Sequence, residues 1–241
     1  MLANAVSVFS LTGMNAHLGL KSLDACMIDF KVVEEKLSSS IISDVLDGMG
    51  IRDRAMDTSI RPVRDDMTIV GIAATMLMTD LYDHSKDTFT LQFQAIDALK
   101  EGEVMMVCSN GSERAALWGE LLSTAARYRG ARGAVIDGVT RDIGLIREMN
   151  FPVFAKGINP ISSKGRLIAV DHGCPVEMGG VMVHPGDLVV ADIDGVVVVP
   201  GEKVETVIDK ALDAAARETK TRDELRKGAG LYDVFKKYGT V

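Results

Sequence analysis

The chain has 241 residues, 47% hydrophobic and 25% charged, with 27 Lys and Arg against 34 Asp and Glu. That length closes one sizeable core or two small ones, and the composition excludes wholesale disorder. The net charge of −7 argues against a general nucleic-acid binder, while leaving room for a local basic cleft that takes a small anion.

Three cysteines, Cys26, Cys108 and Cys174, are odd in number and scattered, with no CxxC pair. A reducing compartment, the cytoplasm, is the expected setting. The four histidines are not spaced for zinc. A metal here would be a hard cation held by carboxylates and water.

Residues 1–26 carry few charges and lack the basic start of a secretory signal. Asn, Ser, Thr, His and Gly break the stretch too often for a membrane span. It reads as a poorly ordered extension, and a single domain is expected over 27–241. SSSIISDVLDGMG puts Ile41, Ile42, Val45, Leu46 and Met49 on one helical face, opened by serines and closed by glycines.

TIVGIAATMLM is a strand run. TFTLQFQAIDAL has Phe89, Phe93, Ile96 and Leu99 at helical spacing, and EVMMVCSNG is a short buried strand ending in a turn. A helix is expected from about Gly119 to Tyr128, then a strand in GAVIDG, a helix in TRDIGLIREMN and a strand in FPVFAKG. Strands and helices alternating over short joints favour α/β crossovers. Residues 173–199 differ: valine runs broken by PGD and DG turns predict β-hairpins. Residues 201–228 form an amphipathic helix with Val204, Ile208, Ala211, Leu212 and Ala215 inward. The fold class is α/β.

Two helix starts matter for chemistry, because ligands gather where strand C-termini meet helix N-termini. One carries Gly119 and Glu120; the other carries Arg141 and Asp142. Free N–H groups and the helix dipole there attract anions. An Arg can grip a carboxylate or enolate oxygen, and an Asp can hold Mg²⁺ or Mn²⁺ that keeps several waters. On spacing alone, such a pair is more often a surface charge at a helix start. His184, Asp192, Asp194 and Asp137 each flank a Gly or Pro turn, and turn geometry accounts for them. Trp118 is expected beside the site or at a subunit contact.

GELLSTAARYRGARGAVIDGVTRD, FPVFAKG and VHPGDLVVADIDGVVVVP together resemble the 4-hydroxy-4-methyl-2-oxoglutarate / 4-carboxy-4-hydroxy-2-oxoadipate aldolases. These are class II pyruvate aldolases, grouped with the regulator of ribonuclease E activity A proteins. The resemblance runs over about residues 27–241. It implies an αββα sandwich like the phosphohistidine swivelling domain, with a C-terminal helix, assembled as a homotrimer or hexamer with sites between subunits. It also implies a small 2-oxo acid substrate, with neither nucleic acid nor membrane as partner.

The family's aldolases carry an acidic residue, twenty residues, then Arg-Asp. Here the acidic position is Glu120, where aldolases usually show Asp, followed by Arg141 and Asp142. The regulator branch shows Gly at the first position and an acidic residue where this chain has Leu145. The chain therefore resembles the aldolase side more than the regulator side. The resemblance implies Asp142 as metal ligand to Mg²⁺ or Mn²⁺, Arg141 against the developing enolate, and Glu120 in proton transfer. It further implies that backbone N–H groups at Gly119, Leu121 and Leu122 receive a carboxylate.

Retro-aldol cleavage would release pyruvate, with oxaloacetate decarboxylation as a side activity. A C-terminal glutamate from a neighbouring subunit is matched by Glu218, with Glu224 as the other choice. Lys156 has no Schiff-base role in this scheme. The competing expectation is a non-catalytic regulator that binds a ribonuclease-type partner. No GxGxG loop follows the first strand, so nucleotide-dependent methyl transfer is rejected.

Overall fold

Local capping signals set the first helices of the computed structural model, which describes residues 28–83 and 87–239. The extension expected over 1–26 lies outside the described residues. Asp29 caps α1 (Phe30–Lys36) by accepting from the N–H groups of Lys31 and Val32. Ser38 caps α2 (Ser39–Gly48) by accepting from Ile41 N–H. A short β1 (Arg61–Pro62) and a long β2 (Ile69–Asp80) follow.

The middle of the chain is the expected crossover series. It runs α3 (Thr90–Asp97), β3 (Glu103–Cys108), α4 (Glu120–Tyr128), β4 (Gly133–Thr140), α5 (Ile143–Glu148) and β5 (Val153–Ile158). Strands β2, β3, β4 and β5 pair in parallel. The hairpin region supplies β6 (Leu167–His172), β7 (Val176–Met178), β8 (Val181–Val183), β9 (Leu188–Asp192) and β10 (Gly195–Val199). The sheet order is β1-β5-β4-β3-β2-β9-β10, with β6 also on β2. Strand β2 serves two partners along its length: Ile69–Ile72 pairs with β9 and Met76–Asp80 with β6, both antiparallel.

Valine alternation places the layers. Leu188, Val190, Val197 and Val199 pack with Val33, Ile42, Leu46, Val204, Val207 and Ala211, beneath α1, α2 and the C-terminal α6 (Val204–Arg226). Their neighbours Val189, Ala191, Val196 and Val198 point the other way. They join a larger core with β3–β5, Ile96 of α3, Ala126 of α4 and Ile146 of α5. A side-chain period of two thus divides one valine-rich hairpin between two cores. Helices cover both outer sides of a folded sheet, as the αββα expectation requires.

Five details depart from the sequence reading. Strand β6, within GRLIAVDHG, is a departure; its short, half-polar run is fixed by pairing with the sequence-distant β2. Strand β4 continues past Asp137 to Thr140, because Thr140 pairs with both Ile158 and Trp118. Arg141 and Asp142 therefore precede α5 rather than lie within it. Phe93 is 49% exposed and stacks on Phe89, while Ile96 and Leu99 of the same spacing are buried. The expected 201–228 helix opens as a 3₁₀ turn at Gly201–Lys203 and is followed by a further helix, α7 (Leu231–Tyr238). Val207, rather than Ile208, is the fully buried residue of its first turns. Among the described residues, no helix is long and apolar enough to cross a membrane.

Candidate active site

The segment before α4 is laid alongside the end of β4. Leu117 N–H donates to Val139 O at 3.0 Å, and Arg141 N–H donates to Trp118 O at 3.1 Å. Gly138 permits this approach, since a Cβ there would stand 2.4 Å from Leu117 Cδ1 and 2.8 Å from Ser112 O. The helix start at Gly119 and the loop at Arg141 are therefore fixed to one another by backbone pairing, although 21 residues of chain lie between them.

A buried hydroxyl secures the same corner. Trp118 Nε1 donates to Ser123 Oγ at 2.7 Å, and Ser123 Oγ donates to Gly119 O at 3.0 Å. Thr140 Oγ1 donates to Trp118 O at 3.2 Å. Trp118, Ser123 and Thr140 are all buried. Trp118 thus packs beside the site, one of the two places expected for it. Nothing in the sequence pattern marked Ser123, which looks like any small residue of a helix.

Four of the predicted residues meet. Asp142 stands at the α5 start with φ +59°, a left-handed conformation that is uncommon for a side-chain-bearing residue. Its Oδ2 accepts from Glu120 N–H at 3.3 Å and lies 3.4 Å from Arg141 Nε. A Cβ on Gly119 would fall 2.7 Å from the same oxygen. Gly119 itself is extended, with φ −168°, so proximity to Asp142 rather than backbone strain accounts for the glycine. The Arg141 and Asp142 side chains are 38% and 39% exposed, accessible from solvent yet held. Glu120 Oε1 accepts from Thr124 Oγ1 at 2.7 Å, one turn along α4.

The carboxylate cradle assigned to Gly119, Leu121 and Leu122 falls on the first turn of α4. The N–H groups of that turn have no acceptor within the helix, and the dipole favours an anion there. Ser123 N–H closes the first helical bond, to Gly119 O at 3.1 Å. Leu121 is 75% exposed, and Leu145 of α5 and Ile158 at the end of β5 are exposed too.

Asp142 fits a hard cation. Among the described residues no hydrogen bond reaches its Oδ1, and no group of three His, Cys, Asp or Glu converges anywhere. Mg²⁺ and Mn²⁺ bind through one or two carboxylates and leave the remaining positions to water and substrate oxygens. A single open carboxylate oxygen matches that demand and does not match zinc.

Glu218 is not brought to this corner. It lies on α6, 3.6 Å from Arg222 of its own helix. Among the described residues no hydrogen bond or ion pair joins it to Glu120, Arg141 or Asp142. Glu224 is engaged elsewhere too, accepting from Lys237 Nζ at 2.5 Å and Tyr238 OH at 2.7 Å. These contacts hold its carboxyl below the usual range and pin α7 to α6.

Asp137 corrects the turn reading. It lies inside β4, opposite Cys108 of β3, and pairs with Lys156 Nζ at 2.6 Å, with side chains 5% and 18% exposed. The buried carboxylate inside the strand is balanced by a half-buried cation. Asp192 also does more than shape its hairpin: its carboxylate accepts from Ser39 N–H and Ser39 Oγ at 2.7 and 2.6 Å, fastening the α2 start. Burial pushes the Cys108 thiol up, which disfavours a nucleophilic thiolate.

The RraA-like family model, described as Aldolase/RraA, matches residues 39–198. A relative from Halalkalibacterium halodurans, provisionally named a 4-hydroxy-4-methyl-2-oxoglutarate aldolase, is 32% identical over 84% of this chain and 89% of its own length. Protein DlpA of Legionella pneumophila is 32% identical over 83% of this chain, which spans only 32% of that longer protein. Among solved structures, Streptomyces coelicolor RraAS2, described as an unusual member of the RNase ES inhibitor RraA protein family, superposes with a TM-score of 0.73. It is 30% identical, and the match covers 81% of this chain and 96% of that one.

Proposed function

The chain belongs to the RraA-like family, and from that premise we propose that it is a metal-dependent aldolase acting on a 4-hydroxy-2-oxo diacid. Cleavage gives pyruvate and a second oxo acid, with oxaloacetate decarboxylation as a side reaction. The observation that carries this reading is the meeting of Arg141, Asp142 and the α4 N-terminus at one exposed corner.

Cleaving the bond between C3 and C4 leaves a pyruvate enolate, so the barrier falls where charge on the C2 oxygen is stabilised. Arg141 faces that developing charge with a fixed guanidinium, its backbone held by Trp118 O. The first-turn N–H groups of α4 receive the substrate carboxylate and set its distance from Arg141. Asp142 is the residue that holds Mg²⁺ or Mn²⁺, and the cation when bound supplies Lewis acidity toward the 2-oxo acid. Glu120 carries a proton to or from the substrate side, its carboxylate kept near the helix start by Thr124. Lys156 takes no covalent part, being paired with Asp137.

The assembly proposed is a homotrimer or hexamer. Leu121, Leu145 and Ile158 are 75%, 53% and 62% exposed around the corner, an apolar rim that a neighbouring subunit would cover. That arrangement supports Glu218 reaching a neighbour's site, since it does not reach its own.

The second reading, a regulator that binds a ribonuclease-type partner, is favoured by the likeness to RraAS2. A panel of oxaloacetate and several 4-hydroxy-2-oxo diacids, assayed for pyruvate with Mg²⁺, separates the two. Release from a diacid supports the aldolase; no pyruvate from any member leaves the regulator.

A further inference from the structure

A cleft among the described residues lies away from Arg141. It encloses about 440 Å³ and is lined by Glu34, Arg64, Asp66, Arg127, Arg132 and Asn150, with neighbouring backbone and apolar residues. Its floor is the opposite end of the parallel strands: Arg132 immediately precedes β4, whereas Arg141 immediately follows it. The eight residues of β4, at about 3.3 Å each, put roughly 26 Å between the two. Helix α4 covers about 14 Å of that distance, with Glu120 at one end and Arg127 in its last turn.

Three guanidiniums meet at this cleft and only two carboxylates answer them. Arg132 Nη2 pairs with Glu34 Oε1 at 2.5 Å, and Arg64 Nε pairs with Asp66. Arg64 also donates from Nη1 to Arg147 O at 2.9 Å. Arg127 has no carboxylate partner among the described residues; its guanidinium lies 5.9 Å from the centre of the Phe151 ring. Arg132 Nε is buried and finds no acceptor within the described chain. A buried charged donor without an acceptor is costly, and such groups normally find one. The volume suits a small metabolite, and a set of planar forks suits carboxylate or phosphate oxygens.

We propose that this cleft binds a compact organic oxyanion, a polycarboxylate or phosphate monoester, at a site separate from the Arg141 corner. Arg127 supplies the uncompensated charge and Arg64 its remaining guanidinium donors. Glu34 and Asp66 hold Arg132 and Arg64 in place and limit the net positive charge, which disfavours a long polyanion. Nothing in this inference depends on the aldolase reading.

The test is calorimetric titration of the full chain with citrate and, in a separate arm, with inorganic phosphate, both at constant ionic strength. Saturable binding at submillimolar concentration is expected in at least one arm, and the stronger arm tells the polycarboxylate source from the phosphate source. Arg127→Gln and, separately, Arg64→Gln should weaken it at least tenfold, while Arg141→Gln should leave it within twofold. Arg127 is exposed, so its substitution should leave the fold intact, which a thermal melt checks. Absence of saturable binding to either anion overturns the proposal, as does wild-type affinity in a folded Arg127→Gln protein. Loss of binding in Arg141→Gln with retention in Arg127→Gln also overturns it, because the anion would then occupy the other corner.

Discussion

Gly119 and Asp142 are in contact across two helix starts: a first side-chain carbon on Gly119 would lie 2.7 Å from Asp142 Oδ2. The relation binds the α4 N-terminus to the proposed metal ligand. Gly119→Ala is compatible with the extended backbone there, so its effect reports on crowding alone. The expected result is a stability loss of about 1–3 kcal/mol, the usual cost of overpacking, and weaker Mg²⁺ binding. Denaturant titration and metal titration of the variant check both.

Arg141 should act on the reaction rather than the fold. Its side chain is 38% exposed, and its ion pair among the described residues is with half-exposed Asp142. Arg141→Ala should lower turnover by roughly 10²–10³, the range for removing a donor to a developing oxyanion, with a stability change within about 0.5 kcal/mol. Arg141→Lys should restore only part, because the flat two-pronged fork is missing. Steady-state kinetics beside thermal melts read the outcome, and near-normal turnover in a folded Arg141→Ala protein contradicts it.

Glu120 and Thr124 form the next test. The glutamate is longer than the aspartate usual among the aldolases it resembles, and Thr124 takes up that length by holding Oε1 at 2.7 Å. Glu120→Gln keeps an acceptor for Thr124 but cannot ionise, so turnover should fall by about 10²-fold or more. Thr124→Val removes only the tether, and less than about tenfold should be lost. Equal effects from both substitutions would mean that the tether, not the carboxylate, matters.

How much of this could be read from sequence differs by element. The valine hairpin β9–β10 was legible because alternation is local, and its two faces are now seen in two cores. Strand β6 was not, since only its pairing with β2 makes Leu167–His172 a strand. The corner at Gly119, Glu120, Arg141 and Asp142 was legible through a motif of fixed spacing, but what joins it was not. Ser123, Thr140 and Gly138 act through tertiary contacts that leave no local pattern. The arginine cleft draws on residues 34, 64, 127 and 132, too far apart in the chain to read as one feature. Asp137 looked like a turn residue because its partner, Lys156, lies a crossover away.

That pair makes its own prediction. Lys156→Met leaves the Asp137 carboxylate buried without its cation and should cost about 2–4 kcal/mol, somewhat below the range for a fully buried pair because Lys156 is 18% exposed. Lys156→Met with Asp137→Leu should recover part of the loss. Borohydride treatment in the presence of pyruvate should leave wild-type Lys156 unmodified. A reduced adduct on Lys156 would assign the chemistry to a Schiff base instead.

The central claim is that Asp142 and Arg141 make a divalent-metal aldolase site. Its most direct measurement is pyruvate release from a 4-hydroxy-2-oxo diacid, followed in one preparation before chelation, after exhaustive chelation, and after returning Mg²⁺ or Mn²⁺. The account predicts that turnover is abolished by chelation, returns with the cation, and is not restored in Asp142→Asn. Full turnover in the chelated wild-type protein would contradict it.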